Sequence, residues 1–229
     1  MSTALMYAFA QRSDTRVVDE PLYGHYLRVS GADHPGAKEV MTNTNCNGHQ
    51  VVRDVILGDC DQPVCFMKQM AHHLVEIDRS FLRETTNILL IRNPVDMLPS
   101  LSNQLDCPTL RDTGLKTQEE LFQELIEMGQ DPPVLDSREL LQDPASVLER
   151  LCEKIGIEFQ QAMLNWPAGP RAEDGIWADH WYHNLHKSTG FEPYRPKTTP
   201  FPERLKPLLD VCSLHYQNVF QHAIRATTD

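Results

Sequence analysis

The chain has no long apolar run. Its apolar runs, such as Ile88-Leu89-Leu90-Ile91, are short, far below the ~20 apolar residues that a membrane-spanning helix needs. The N-terminal Met1-Ser2-Thr3-Ala4-Leu5-Met6 has no basic segment ahead of an apolar one, so no signal peptide is expected. Cationic excess is also lacking: 21 Lys and Arg stand against 32 Asp and Glu, a net charge of −11. Such a chain repels phosphate backbones at long range and is not expected to bind nucleic acid. One small anionic ligand remains admissible, because a local site can be positive inside a negative field. None of the cysteines (Cys46, Cys60, Cys65, Cys107, Cys152, Cys212) forms a C-x-x-C pair. No metal is therefore expected, although His72, His73, His180, His183 and His186 offer ring nitrogens. Free thiols in a reducing cytoplasm are the expectation.

What is present fits an ordinary globular chain. The 229 residues, 41% hydrophobic and 23% charged, predict a single domain over 1–229 with no internal repeat. The N-terminal Ser2–Ala10 reads as a helix headed by hydroxyl residues, and Arg16–Glu20 as a strand stopped by Pro21. Residues 31–49 read as a loop with one helical turn, 63–68 as a strand and 72–84 as a helix. Asn87–Arg92 is the plainest strand, apolar throughout as a strand covered on both faces should be. Asn93-Pro94 opens a helix with Pro99 inside it, and Thr117-x-x-Glu120 reads as a capping box. Pro133–Asp136 predicts a strand. Asp143-Pro144 caps a helix ended by Gly156, and residues 205–220 form a closing amphipathic helix. The Trp- and His-rich stretch 166–194 is irregular, and 193–202, with four prolines, is a stiff connector.

Short apolar strands alternating with helices predict an α/β fold with a parallel sheet, and in such sheets ligands gather beyond the carboxyl ends of the strands. Glu20, Lys68, Arg92 and Asp136 each fall at such an end, at one edge of one sheet.

In Arg92-Asn-Pro-Val-Asp-Met-Leu-Pro-Ser100, a strand ends in Arg, a helix begins at Asn-Pro, and Ser follows eight residues after the Arg. This resembles the segment of sulfotransferases that holds the 3′-phosphate of 3′-phosphoadenosine 5′-phosphosulfate (PAPS). A guanidinium fork, a hydroxyl and a helix N-terminus together make an anion seat. Asp136-Ser-Arg-Glu-Leu-Leu-Gln-Asp-Pro resembles a strand–turn–helix stretch of that family whose role is chiefly structural. Asp19-Glu-Pro-Leu-Tyr23 is similar to the Glu-Pro-Leu of several carbohydrate sulfotransferases, and Phe66-Met-Lys-Gln-Met-Ala-His-His73 stands where the family has Lys-Thr-His. The whole resembles sulfotransferase-like proteins of plants and bacteria, including plant domains attached to aminotransferase-like ones. The family opens with a strand and a G-x-x-x-x-S-T loop. Here Met1-Ser2-Thr3 falls inside that loop, so an incomplete start is expected in preference to another segment filling the place of the first strand.

The resemblance implies a three-layer parallel sheet of the P-loop nucleoside triphosphate hydrolase type. It implies transfer of a sulfuryl group from PAPS to a hydroxyl or amine of a small acceptor. Arg92, Ser100, Ser2 and Thr3 would bind the nucleotide, and Lys68 would neutralise the departing bridging oxygen. The family's histidine register falls on Met70, which leaves His72 or His73, or neither, to substitute for it, with Glu20 as the alternative base. Each residue has a plainer use: Ser2 and Thr3 as a helix cap, Arg92 in a salt bridge, Lys68 as a solvated strand end, Glu20 as a loop-orienting acid. Trp177, Trp181, Tyr182, His183 and His186 would line a ligand or pack on the sheet, with packing favoured. Two other functions stay open. One is a catalytically weak or inactive module that binds 3′,5′-ADP or a partner. The other is a P-loop phosphotransferase, disfavoured because no G-x-x-x-x-G-K-[ST] occurs.

Overall fold

The computed structural model describes residues 1–103, 105–196 and 198–227; Lys197, within the expected connector at 193–202, lies outside the described residues. The chain divides into two compact units. One comprises Met1–Thr85 and Gln160–Phe191, the other Thr86–Phe159 and the described residues from Glu192 onward.

The first unit is built on α1 (Ser2–Ala10), β1 (Thr15–Asp19), α2 (Tyr23–Ser30), α3 (Ala37–Asn43) and β2 (Val64–Lys68). Helix α1 buries five consecutive residues, Leu5 to Phe9, so it is enclosed rather than lying on a surface. The Phe9 ring stacks on Phe66 of β2 at 4.1 Å between centroids. Strands β1 and β2 are parallel, with Asp19 opposite Lys68.

The second unit holds β3 (Leu89–Ile91), α4 (Pro94–Leu101), α5 (Leu115–Glu127), β4 (Val134–Asp136), α6 (Ser137–Gln142), α7 (Pro144–Ile155), α8 (Lys206–Phe220) and β5 (Ala223–Ile224). Its sheet has the order β3-β4-β5, all parallel, with Ile91 opposite Asp136. Helix α7 forms as its sequence predicts. The Asp143 side chain accepts the Ser146 N–H (3.1 Å), Val147, Leu148, Leu151 and Cys152 are buried on one stripe, and Gly156 ends it in the left-handed region (φ 75°).

Several expectations are corrected. The strands form two small parallel sheets rather than one, because among the described residues no ladder joins β1 or β2 to the others. The helix expected at 72–84 is two 3₁₀ turns, Ala71–His73 and Ser80–Glu84. Glu76 adopts φ 45°, which no α-helix tolerates. Asp78 closes a local turn onto the Ser80 N–H (2.9 Å), and the Val75 carbonyl is taken by His25 Nε2 (2.8 Å). The loop expected at 31–49 contains α3 and a helical turn at Gly48–Val51, the latter capped by Asn47. Thr117 and Glu120 lie inside α5, which begins at Leu115 after Gly114 (φ 70°). The backbone–side-chain closure forms earlier, where Thr109 N–H donates to Asp112 (2.7 Å). Helix α2, helix α6 and the two-residue β5 have no counterpart in the sequence reading.

Candidate functional site

At the carboxyl end of the β1–β2 pair, Lys68 is buried at 5% exposure. Burial alone would release its proton, so the ammonium must be paired. Its Nζ donates to Asp19 Oδ1 (3.1 Å), to Glu20 Oε1 and to the Tyr182 hydroxyl (2.6 Å). Burial pulls the ammonium pKa down, but the charges of Glu20 and Asp19 outweigh it and the net shift is upward. Tyr182 in turn donates to Asp19 Oδ2 (2.8 Å) and accepts from Trp177 Nε1 (3.2 Å). Gly175 N–H donates to the same Asp19 oxygen (3.1 Å). Glycine is required there, since a Cβ would stand 2.2 Å from the Trp177 ring.

Glu20 is buried as well. Its backbone sits at φ 40°, a left-handed conformation in a residue that also precedes proline. The strain is held by two main-chain bonds: Glu20 N–H to the Lys68 carbonyl and Tyr23 N–H to the Glu20 carbonyl, both 2.9 Å. Burial raises the carboxyl pKa, Lys68 lowers it and Asp19 raises it, with a net upward shift. A strained backbone carrying a buried, easily protonated acid beside a lysine is a recurrent feature of functional sites.

Of the two adjacent histidines, His73 faces this cluster, with Nε2 3.9 Å from Glu20 Oε2. It is buried, its Nδ1 has no hydrogen-bond partner among the described residues, and burial lowers its pKa to about 2, so it is neutral. His72, the other histidine weighed from sequence as a base, is half-buried and packs edge-on against the Tyr26 ring (4.9 Å). Ser2 and Thr3 are the first two residues of α1 rather than its cap: the cap is Met1, and no side chain caps the helix. Thr3 is buried.

In the second unit, Arg92 is exposed directly after β3, and Ser100 lies two turns along α4. Both side chains reach the same main-chain oxygen, that of Asp96: Arg92 Nη2 at 3.2 Å and Ser100 Oγ at 3.4 Å. The i, i+4, i+8 spacing thus brings the predicted pair onto one face. Asn93 caps α4 by accepting the Val95 N–H (2.9 Å). Asp136 is structural. It caps α6 through the Arg138 and Glu139 N–H groups (2.8 and 3.2 Å) and accepts from the Tyr216 hydroxyl (3.1 Å).

Sequence reasoning placed Lys68, Glu20, Arg92 and Ser100 at strand or helix ends, named His73 beside His72 without choosing between them, and missed Asp19 as a member of the cluster. The β1–β2 register was the available signal for Asp19, since parallel pairing of Arg16–Glu20 with 63–68 sets it against Lys68. The aromatic segment divides: Trp177 and Tyr182 are buried in the network, while Trp181 and His183 are exposed. His186 is half-buried and pairs with Asp174 (2.9 Å), which also accepts from Tyr7 (2.6 Å). Among the described residues no group of three or more His, Cys, Asp or Glu converges as a metal site, and no helix is long and apolar enough to cross a membrane.

A family model described as a sulfotransferase domain matches residues 1–221. Two proteins of Arabidopsis thaliana are similar over nearly the whole chain. Branched-chain-amino-acid aminotransferase-like protein 1 is 39% identical over 226 residues (95% of this chain, 40% of that protein), and branched-chain-amino-acid aminotransferase-like protein 2 is 38% identical over 213 residues (93% and 38%). The chain therefore spans about two-fifths of the length of these curated relatives. No solved structure matches it. The family match runs through both units and over nearly the whole chain, and the chain belongs to the sulfotransferase family.

Proposed function

We propose that this chain is a PAPS-dependent sulfotransferase domain acting on a hydroxyl or amine of a small acceptor, with 3′,5′-ADP as the second product. The observation that carries the reading is the buried Lys68–Glu20 pair at the carboxyl end of β1 and β2, where a cation and a poised acid meet on a strained backbone. In this reading the acceptor proton passes to Glu20. The acceptor oxygen or nitrogen bonds to sulfur as the bridging S–O bond breaks, and the electron pair leaves on the nucleotide. Lys68 neutralises that developing charge, so positioning and electrostatics supply most of the catalysis. The resemblance assigns the 3′-phosphate to Arg92 and Ser100, and the 5′-phosphosulfate to Ser2 and Thr3. Arg92 and Ser100 suit an anion, because an exposed guanidinium and a hydroxyl share one helix face. His72 remains the other candidate base. The same reading takes residues 1–229 as one domain on the three-layer P-loop plan. It places the protein in the cytoplasm, in keeping with six free cysteines.

A second reading has one observation in its favour: all three N–H donors of Lys68 are already taken within the protein, as in a purely structural ion cluster. The chain would then bind 3′,5′-ADP or a partner without turnover. Calorimetric titration of 3′,5′-ADP into wild type and Arg92→Ala tests both. Loss of about 1.5–3 kcal/mol of binding, a drop of roughly ten- to a hundredfold, is expected for the variant, as for a charged hydrogen bond. No binding to wild type refutes both nucleotide readings and leaves only a partner-binding module. Transfer of ³⁵S from PAPS to an acceptor mixture, with Glu20→Gln and His72→Ala, then separates enzyme from binder and identifies the base.

A further inference from the structure

The three oxygens around Lys68 are not equally held. Asp19 is locked: one carboxylate oxygen accepts from Lys68, and the other accepts from the Gly175 N–H (3.1 Å) and the Tyr182 hydroxyl (2.8 Å). Tyr182 is locked as well, since its oxygen also accepts from Trp177 Nε1 (3.2 Å) and its ring is buried. The Glu20 carboxylate has Lys68 as its hydrogen-bonding partner, and its other oxygen faces the neutral His73 ring at 3.9 Å, beyond hydrogen-bond reach. Among the described residues no backbone N–H holds it, unlike Asp19. The cluster contains one cation and two carboxylates, so an anionic donor reaching Lys68 meets net negative charge unless one carboxylate leaves. The one with fewest anchors is Glu20. A short shift would also bring its Oε2 within reach of His73 Nε2, now 3.9 Å away.

We propose that Glu20 is the exchangeable ligand of Lys68, while Asp19 and Tyr182 are positioning residues that keep the ammonium in place. An arriving sulfonate donor displaces Glu20 and thereby frees it to take the acceptor's proton. This rests on the sulfuryl-transfer reading above and adds a regulation to it: the base is masked until the donor is bound, so donor binds before acceptor. The step balances. Lys68 exchanges one oxygen ligand for another, the acceptor proton moves to Glu20, and that proton passes to water when the sulfated product leaves.

The test is titration of PAPS and of 3′,5′-ADP, separately, into wild type, Glu20→Gln and Tyr182→Phe, with steady-state turnover and melting temperature measured on the same preparations. Glu20→Gln removes the competing charge, so PAPS binding tightens by about tenfold relative to 3′,5′-ADP. Turnover meanwhile falls by roughly a hundredfold or more, as for loss of a general base. Tyr182→Phe loosens the ammonium without removing a competitor, so kcat falls while KM for PAPS holds. A purely structural role for Glu20 would leave the ratio of PAPS to 3′,5′-ADP affinities unmoved. An unchanged or lowered ratio in a folded Glu20→Gln protein overturns the inference and leaves the sulfotransferase reading standing. Wild type that binds neither nucleotide overturns both.

Discussion

Replacing Lys68 by methionine keeps the length and packing of the side chain and removes its charge. Asp19, Glu20 and Lys68 are each less than a tenth exposed. Removing one partner of a buried ion pair typically costs about 3–5 kcal/mol, because the remaining charge is left without compensation. Here two carboxylates are left, so the upper part of that range is expected near pH 8. The loss depends on pH with a definite sign. The folded-state pKa of Glu20 is already raised in the wild type, and it rises further once Lys68 no longer opposes burial. A carboxyl raised above its unfolded value contributes stability below the unfolded pKa and loses it as pH rises through the folded one. The Lys68→Met deficit is therefore smallest near pH 4–5 and grows towards pH 8, by about 1.4 kcal/mol for each unit of additional shift. All three tryptophans (Trp166, Trp177, Trp181) lie in the first unit, so urea unfolding followed by tryptophan fluorescence reports directly on it. The double variant Lys68→Met/Glu20→Gln should recover a large part of the loss at pH 8. A deficit below about 1 kcal/mol at pH 8, or one independent of pH, would refute the reasoning, since the measured cost of a broken buried pair is several-fold greater.

Other substitutions probe the frame. At Glu20, glycine should be more stable than alanine by about 1 kcal/mol, because both lose the carboxylate and only glycine adopts φ 40° without strain; equal urea midpoints would exclude that. Gly175→Ala puts a Cβ 2.2 Å from the Trp177 ring, and a loss of about 1–3 kcal/mol with a shifted emission spectrum is expected. Asp136→Ala removes the α6 cap and the Tyr216 partner, which should cost about 2–4 kcal/mol. Circular dichroism melting checks this, and an unchanged melting temperature would show that water replaces both interactions.

The elements that proved legible carry their own local signals. Helix α7 shows its cap, its N1 proline, its 3.6-residue stripe and its terminal glycine in twelve residues and their flanks. Strand β3 is apolar on both sides and is bounded by Asn93-Pro94. The stretch 72–84 misled because its periodicity is helical while its stops are not written in residue type. A left-handed glutamate at 76 and a side chain–backbone turn at Asp78 are conformations that the sequence permits and only the packed chain selects. Thr117-x-x-Glu120 has the letters of a capping box inside a helix already begun at Leu115, because Gly114 supplied the earlier start.

Sequence alone placed Lys68, Glu20, Arg92 and Ser100 at the ends of strands and on a helix face, since hydrophobic pattern and spacing determine where an element stops and which residues share a side. It also carried the resemblance to sulfotransferases. Sequence could not supply the partners of Lys68. Asp19 comes from register, Gly175, Trp177 and Tyr182 come from a segment more than a hundred residues away, and His73 rather than His72 turns inward. Those choices belong to tertiary structure, because a buried ammonium needs oxygen ligands in three directions and only packing brings distant chain segments to it.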